Sequence, residues 1–206
     1  MISHSLKCIF IHIPKTAGSS IEDVIWPGVR SESDLWMGMA DMRNKYQTGA
    51  LQHLLARQIL SEVGSKIFYS YYKFSIVRNP WDRLVSQYIW TRDTNPALRQ
   101  YIGLSTNSSF EEYLDLIQRV SHVHWERQVR FLRDEDGESM VDFVGRFENL
   151  EADARHIFGR IGLSCDKIPH TNASSRGVYR NYYNEHSKRL VSSLYREDID
   201  AFGYEF

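Results

Sequence analysis

Three short apolar runs interrupt an otherwise polar chain. Residues 8–13 read Cys-Ile-Phe-Ile-His-Ile and stop at Pro14-Lys15. Residues 73–77 read Lys-Phe-Ser-Ile-Val and stop at Arg78-Asn-Pro80, and residues 141–145 read Val-Asp-Phe-Val-Gly and stop at Arg146-Phe-Glu. Their shortness and their β-branched and aromatic content predict strands. Each gives way at once to a helix signal, the β-then-α rhythm of a parallel sheet, so the expected fold class is α/β.

The first helix should start near Gly18 or Ser19 and carry Ile21, Val24 and Ile25 toward Pro27. The second has the clearest start: Asn79 as N-cap, Pro80 in the first helical position and Asp82 in the electropositive first turn. Leu84, Val85, Tyr88 and Ile89 then fall at helical spacing. Further helices are predicted over 150–161 and around 52–63, and residues 110–133 read as largely helical. No repeat, low-complexity block or linker divides the sequence, which predicts a single domain over 1–206.

The strand-to-helix junctions carry the candidate chemistry. Pro14-Lys-Thr-Ala-Gly-Ser-Ser20 joins the first strand to its helix with small residues that let backbone wrap an anion. Consecutive N–H groups and the helix N-terminus would supply positive potential there. Lys15, Thr16, Ser19 and Ser20 add side-chain donors. A nucleoside-triphosphate P-loop needs lysine after its second glycine, whereas Lys15 precedes the only glycine of the segment. A polar turn could carry the same letters, so the second strand decides. Arg78 stands at its C-terminal end, where ligands of parallel sheets bind. Ser86 follows two helical turns later, and the two could grip a second phosphate, the guanidinium bidentately. A surface ion pair for Arg78 and a plain helix-face serine for Ser86 are the alternatives; their joint occurrence with the first loop favours anion binding.

Composition narrows the partners. The chain has 206 residues with formal net charge -1, so a generally nucleic-acid-binding surface is not indicated and an anion site must be built locally. The aromatic, basic run from Tyr179 to Tyr183 is accordingly read as packed rather than as a single-strand nucleic-acid platform. Cys8 and Cys165 stand alone, in no metal or disulfide pattern, which favours a reducing, cytoplasmic setting. The first apolar run is too short for a membrane span, and no signal peptide is recognisable.

Taken together, the segment from Phe10 to Ser20 resembles the 5′-phosphosulfate loop of sulfotransferases that use 3′-phosphoadenosine-5′-phosphosulfate (PAPS). Phe74-Ser-Ile-Val-Arg-Asn-Pro-Trp-Asp-Arg-Leu-Val-Ser-Gln-Tyr88 resembles their 3′-phosphate segment. The likeness is greatest to carbohydrate sulfotransferases of the chondroitin and heparan uronyl type, and 144–150, 169–174 and 198–204 fit in the same order. The resemblance implies a P-loop NTPase-like three-layer fold and transfer of a sulfuryl group to a carbohydrate or glycolipid hydroxyl. It implies that Pro14, Lys15, Thr16, Ala17, Gly18, Ser19 and Ser20 hold the 5′ group and that Arg78 and Ser86 hold the 3′-phosphate. Ser174, Arg176 and Tyr179 would belong to a late loop over the nucleotide.

Lys15 is then the cation for the leaving oxygen, and positioning with charge stabilisation should dominate the chemistry. No metal is expected. Among eight histidines, His53 matches the family's base, and its ordinary pKa range suits that role. His124, Trp125, Gln128 and Arg146 are candidate acceptor contacts, with core packing or an ion pair as their alternatives. A magnesium-dependent kinase and a non-catalytic adenosine-bisphosphate sensor are the competing readings.

Overall fold

The structure, a computed structural model, describes residues 1–36, 50–164, 168 and 177–206. The elements begin with β1 (Ile2–Ser3), β2 (Cys8–Ile11), α1 (Gly18–Ile25), α2 (Ala56–Val63), α3 (Ser65–Ser70) and β3 (Tyr72–Val77). They continue with α4 (Pro80–Asp93), α5 (Pro96–Ile102), α6 (Phe110–Ile117), α7 (Gln128–Leu132) and β4 (Phe143–Arg146). Helices α8 (Leu150–Arg160), α9 (Glu185–Leu194) and α10 (Arg196–Phe202) complete the set. The chain forms two compact units, each assembled from two separate stretches: Met1–Val77 with Gln128–Ala173, and Arg78–Arg127 with Ser174–Phe206.

The first unit holds a four-stranded sheet in the order β1-β2-β3-β4. The expected parallel pairing is present: Phe10 lies opposite Phe74 between β2 and β3, and Val77 opposite Arg146 between β3 and β4. The short β1, which hydrophobic patterning did not reveal, pairs antiparallel with β2. One sheet face gathers Cys8, Phe10, Phe74 and Ile76 against Ile21 and Ile25 of α1 and Ala154, Ile157 and Phe158 of α8. All of β2 is buried, so both its faces are covered, as a near-continuous apolar run requires. Gly145 explains how α8 comes so near: a Cβ there would stand 2.7 Å from Ile76 Cδ1 and 3.0 Å from Asp153 Cβ. Burial pushes the Cys8 thiol up to about 12, so it stays protonated and inert.

The second unit is organised around α4. Asn79 caps it as the sequence predicts, its side-chain oxygen accepting from the N–H groups of Trp81 (3.1 Å) and Asp82 (3.3 Å). Its amide nitrogen donates to the Glu205 carbonyl. Arg83 is almost fully buried and donates to the carbonyls of Glu126 and His124.

Two helical expectations need correction. The stretch 110–133 is not continuous: α6 ends at Ile117, a 3₁₀ turn spans Val123–Trp125, and α7 begins at Gln128. Between them, His122 is extended and its Nδ1 accepts the His124 N–H, while the Trp125 indole donates to the Val120 carbonyl. Side chains that satisfy nearby backbone in this way compete with the helical ladder. Over 52–63 the helix starts only at Ala56. His53 closes a 3₁₀ turn, and the buried Leu54 and Leu55 are extended.

Candidate functional site

In the first unit the turn between β2 and α1 is shaped by its backbone. Lys15 and Ala17 both have φ of 68°, a left-handed conformation that costs non-glycine residues energy and that clusters at ligand sites. The fully buried Thr16 between them donates its hydroxyl to the Ile13 carbonyl at 2.8 Å, which closes the turn. That hydroxyl hydrogen is therefore committed within the turn. Helix α1 then begins at Gly18 without a side-chain cap. The N–H groups of a first helical turn have no intrahelical acceptor and carry the positive end of the helix dipole. Lys15 and Ser19 are half-buried here, while Ser20 and Pro14 are buried.

Gly18 is required by what lies beneath it. A Cβ at this position would stand 1.9 Å from His12 Nε2. The His12 ring, stacked on Phe10 with centroids 5.3 Å apart, sits with its Nδ1 2.6 Å from Glu22 Oε1. Gly18→Ala should therefore cost about 1–3 kcal/mol by overpacking, lowering Tm by roughly 2–12 °C for a chain of this size. Thermal melting checks this beside Gly28→Ala, where nothing lies within 4 Å of an added Cβ and little change is expected.

The His12–Glu22 pair was not singled out by motif. Its signal in the sequence is a carboxylate between Ile21 and Ile25 on the apolar side of a short helix. Burial opposes ionisation of Glu22, but the adjacent His12, then Arg30 and His53, outweigh it and hold its carboxyl at about 2. Arg30 reaches Glu22 Oε2 at 3.3 Å and Asp23 Oδ1 at 2.6 Å.

His53, the predicted base, is buried beside this pair. Its ring meets that of His12 edge-on, with centroids 4.6 Å apart, and its Nδ1 lies 3.2 Å from the His12 carbonyl oxygen. A carbonyl only accepts, so the shared hydrogen sits on Nδ1 and leaves Nε2 as the basic nitrogen. Gln52 Nε2 stands 3.4 Å from that nitrogen. The first unit thus brings the 14–20 turn and His53 together through His12. It also contains Gln128, fully buried in α7, and Arg146, exposed at the end of β4 with its N–H on Asp153.

In the second unit, buried Arg78 directs both Nε (2.8 Å) and Nη2 (2.6 Å) to Asp82 Oδ2, which fixes its guanidinium. Ser86 is buried on the same helix as Asp82. His124 stacks on Trp90 at 5.0 Å and pairs with Gln87. Trp125 is buried, and its carbonyl accepts from Tyr195. Both side chains are thus engaged in the interior. Tyr179 lies in a 3₁₀ turn, edge-on to Phe206 and beneath Arg180. Ser174 and Arg176 lie outside the described residues. Among the described residues no group of three or more His, Cys, Asp or Glu could hold a metal ion, and no helix is long and apolar enough to cross a membrane.

Against known proteins, the profile of the sulfotransferase family matches residues 1–205. The chain is 26% identical over 172 residues to carbohydrate sulfotransferase 10 of Xenopus laevis, covering 66% of this chain and 48% of that protein. It is 27% identical over 171 residues to the protein of the same name from Pongo abelii, with the same coverage. The chain thus spans about half the length of these two relatives. An uncharacterized protein of Archaeoglobus fulgidus is 29% identical over 132 residues, which are 61% of this chain and 96% of that one. A crystal structure of a sulfotransferase from Alicyclobacillus acidocaldarius aligns over 95% of this chain and 98% of its own with a TM-score of 0.49, at 18% identity.

Proposed function

Because the chain belongs to the sulfotransferase family, we propose that it transfers a sulfuryl group from PAPS to a hydroxyl of a carbohydrate or glycolipid. The acceptor class follows the name of two relatives, carbohydrate sulfotransferase 10. The observation that carries the reading is the turn from Pro14 to Ser20. Two left-handed residues and a close-packed Gly18 lead its backbone into an uncapped helix start. Such a turn suits a phosphosulfate because it offers several N–H donors and a helix dipole to one multiply charged group.

In this reading Pro14 to Ser20 hold the 5′-phosphosulfate, and Arg78, oriented by Asp82, holds the 3′-phosphate with Ser86. Tyr179, Ser174 and Arg176 contribute to the same nucleotide. The acceptor oxygen forms a bond to sulfur as the bond from sulfur to the 5′-phosphate oxygen breaks. The acceptor proton passes to His53 Nε2, and Lys15 balances the charge gathering on the departing oxygen. Arg146 is an acceptor contact, while His124, Trp125 and Gln128 would act through packing.

The test begins with melting. Saturating 3′,5′-adenosine bisphosphate, with chelator and no magnesium, should stabilise the protein by about 2–4 kcal/mol, roughly 5–15 °C in Tm. Adenosine triphosphate with magnesium should not reproduce the shift; a shift only with the latter would turn the assignment to a kinase. Sugars and glycolipids are then screened with labelled PAPS, reading transfer by mass. Nucleotide binding without transfer to any acceptor would favour the sensor.

A further inference from the structure

His12 packs between His53, the proposed base, and the start of α1. It follows the last residue of β2, and its ring continues the side of the strand that carries Phe10, where the two rings are nearly parallel at 11°. Two positions one turn apart on α1 press on that ring: Gly18, whose missing Cβ makes room for Nε2, and Glu22, whose carboxylate meets Nδ1 at 2.6 Å. Both atoms are buried, so the contact is shielded from water. Glu22 is itself held from the other side by Arg30. The ring therefore has little freedom: Phe10 flanks it, α1 presses on it and a carboxylate grips it.

His53 depends on this arrangement twice. Its ring lies edge-on against the His12 ring, and its Nδ1–H is directed to the His12 carbonyl. A shift of His12 would alter the packing surface and the acceptor together. Imidazole tautomers differ little in energy in water, so the partner at one nitrogen decides which is populated.

We propose that His12, anchored by Glu22, is a positioning residue that holds His53 as the Nδ1–H tautomer and presents Nε2 for proton transfer. This rests on the reading of His53 as the base. Neither His12 nor Glu22 needs to touch substrate. Their effect appears in turnover rather than in donor binding, because a misdirected base slows the chemical step while the turn at Lys15 to Ser20 keeps its own donors.

The test uses the whole chain labelled with nitrogen-15 in histidine, read by long-range proton–nitrogen spectra that separate bare from protonated ring nitrogens. His53 is assigned by the signals lost in His53→Ala. The wild-type protein should show a protonated Nδ1 and a bare Nε2. In Glu22→Gln both nitrogens should move toward the averaged positions of mixed tautomers. Single-turnover kcat with labelled PAPS should fall tenfold or more, since small misplacements cost up to about a hundredfold, and donor KM should change by less than about threefold. His12→Asn is the second variant, with the same expected result, should circular dichroism show that Glu22→Gln does not fold. A His53 spectrum or a kcat that stays at the wild-type value in either folded variant overturns the proposal. Undiminished turnover in His53→Ala instead removes the base assignment, so the two failures are distinguishable.

Discussion

Replacing Lys15 by alanine is expected to lower kcat about 10²- to 10³-fold, the loss typical when one donor to a developing oxyanion is removed. Sulfuryl transfer asks little covalent work of the protein; its main demand is for positive charge where the nucleotide departs. The turn from β2 to α1 supplies N–H groups but only one side-chain cation, Lys15. The substitution is clean in one respect. Lysine and alanine share a Cβ, so the left-handed backbone at φ 68° is equally strained in both, and the fold should be little affected. Lys15→Arg should recover only part of the rate, because a planar guanidinium does not replace a compact ammonium at a tight turn. Single-turnover kinetics with labelled PAPS provide the measurement. A kcat within threefold of the parent would take Lys15 out of the reaction.

The second large effect belongs to His53. Its change to alanine should reduce kcat by about 10²- to 10⁴-fold, the contribution of a positioned general base. The melting shift induced by 3′,5′-adenosine bisphosphate should persist. His53 is buried, so the truncation also leaves a small cavity, and His53→Gln serves as the fuller-sized companion. Glutamine can still donate to the His12 carbonyl yet cannot take a proton, so it should be folded and equally slow. Normal turnover in both would move the base to another residue.

What could be read from the chain divides along physical lines. Strands β2, β3 and β4, their parallel pairing and the capped start of α4 all follow from local signals: apolar runs, an Asn-Pro pair and a first-turn aspartate. The break after Ile117 was not legible, because it depends on where the His122 ring and the Trp125 indole find backbone partners. The start of α2 was misplaced for a related reason. Leu54 and Leu55 are buried in extended conformation, and burial there overrides the helical preference of leucine. At the site, the turn letters together with Arg78 and Ser86 raised the expectation of anion binding. The pairing of His12 with Glu22 could not be announced in that way, since it arises only when β2 and α1 are packed face to face. Gly18 was read as room for a phosphate; the structure also makes it room for an imidazole.

The interleaving of the two units has a consequence for biosynthesis. The first unit cannot complete its sheet until β4 has been made, and the second draws on the stretch from Ser174 to Phe206. As a nascent chain leaves the ribosome, β3 therefore emerges long before β4, the strand that covers its open edge. Apolar strand edges in that interval are open to mispairing and aggregation. Dividing the chain into consecutive fragments would deprive both units of part of themselves, so halves expressed separately should need to meet before either folds.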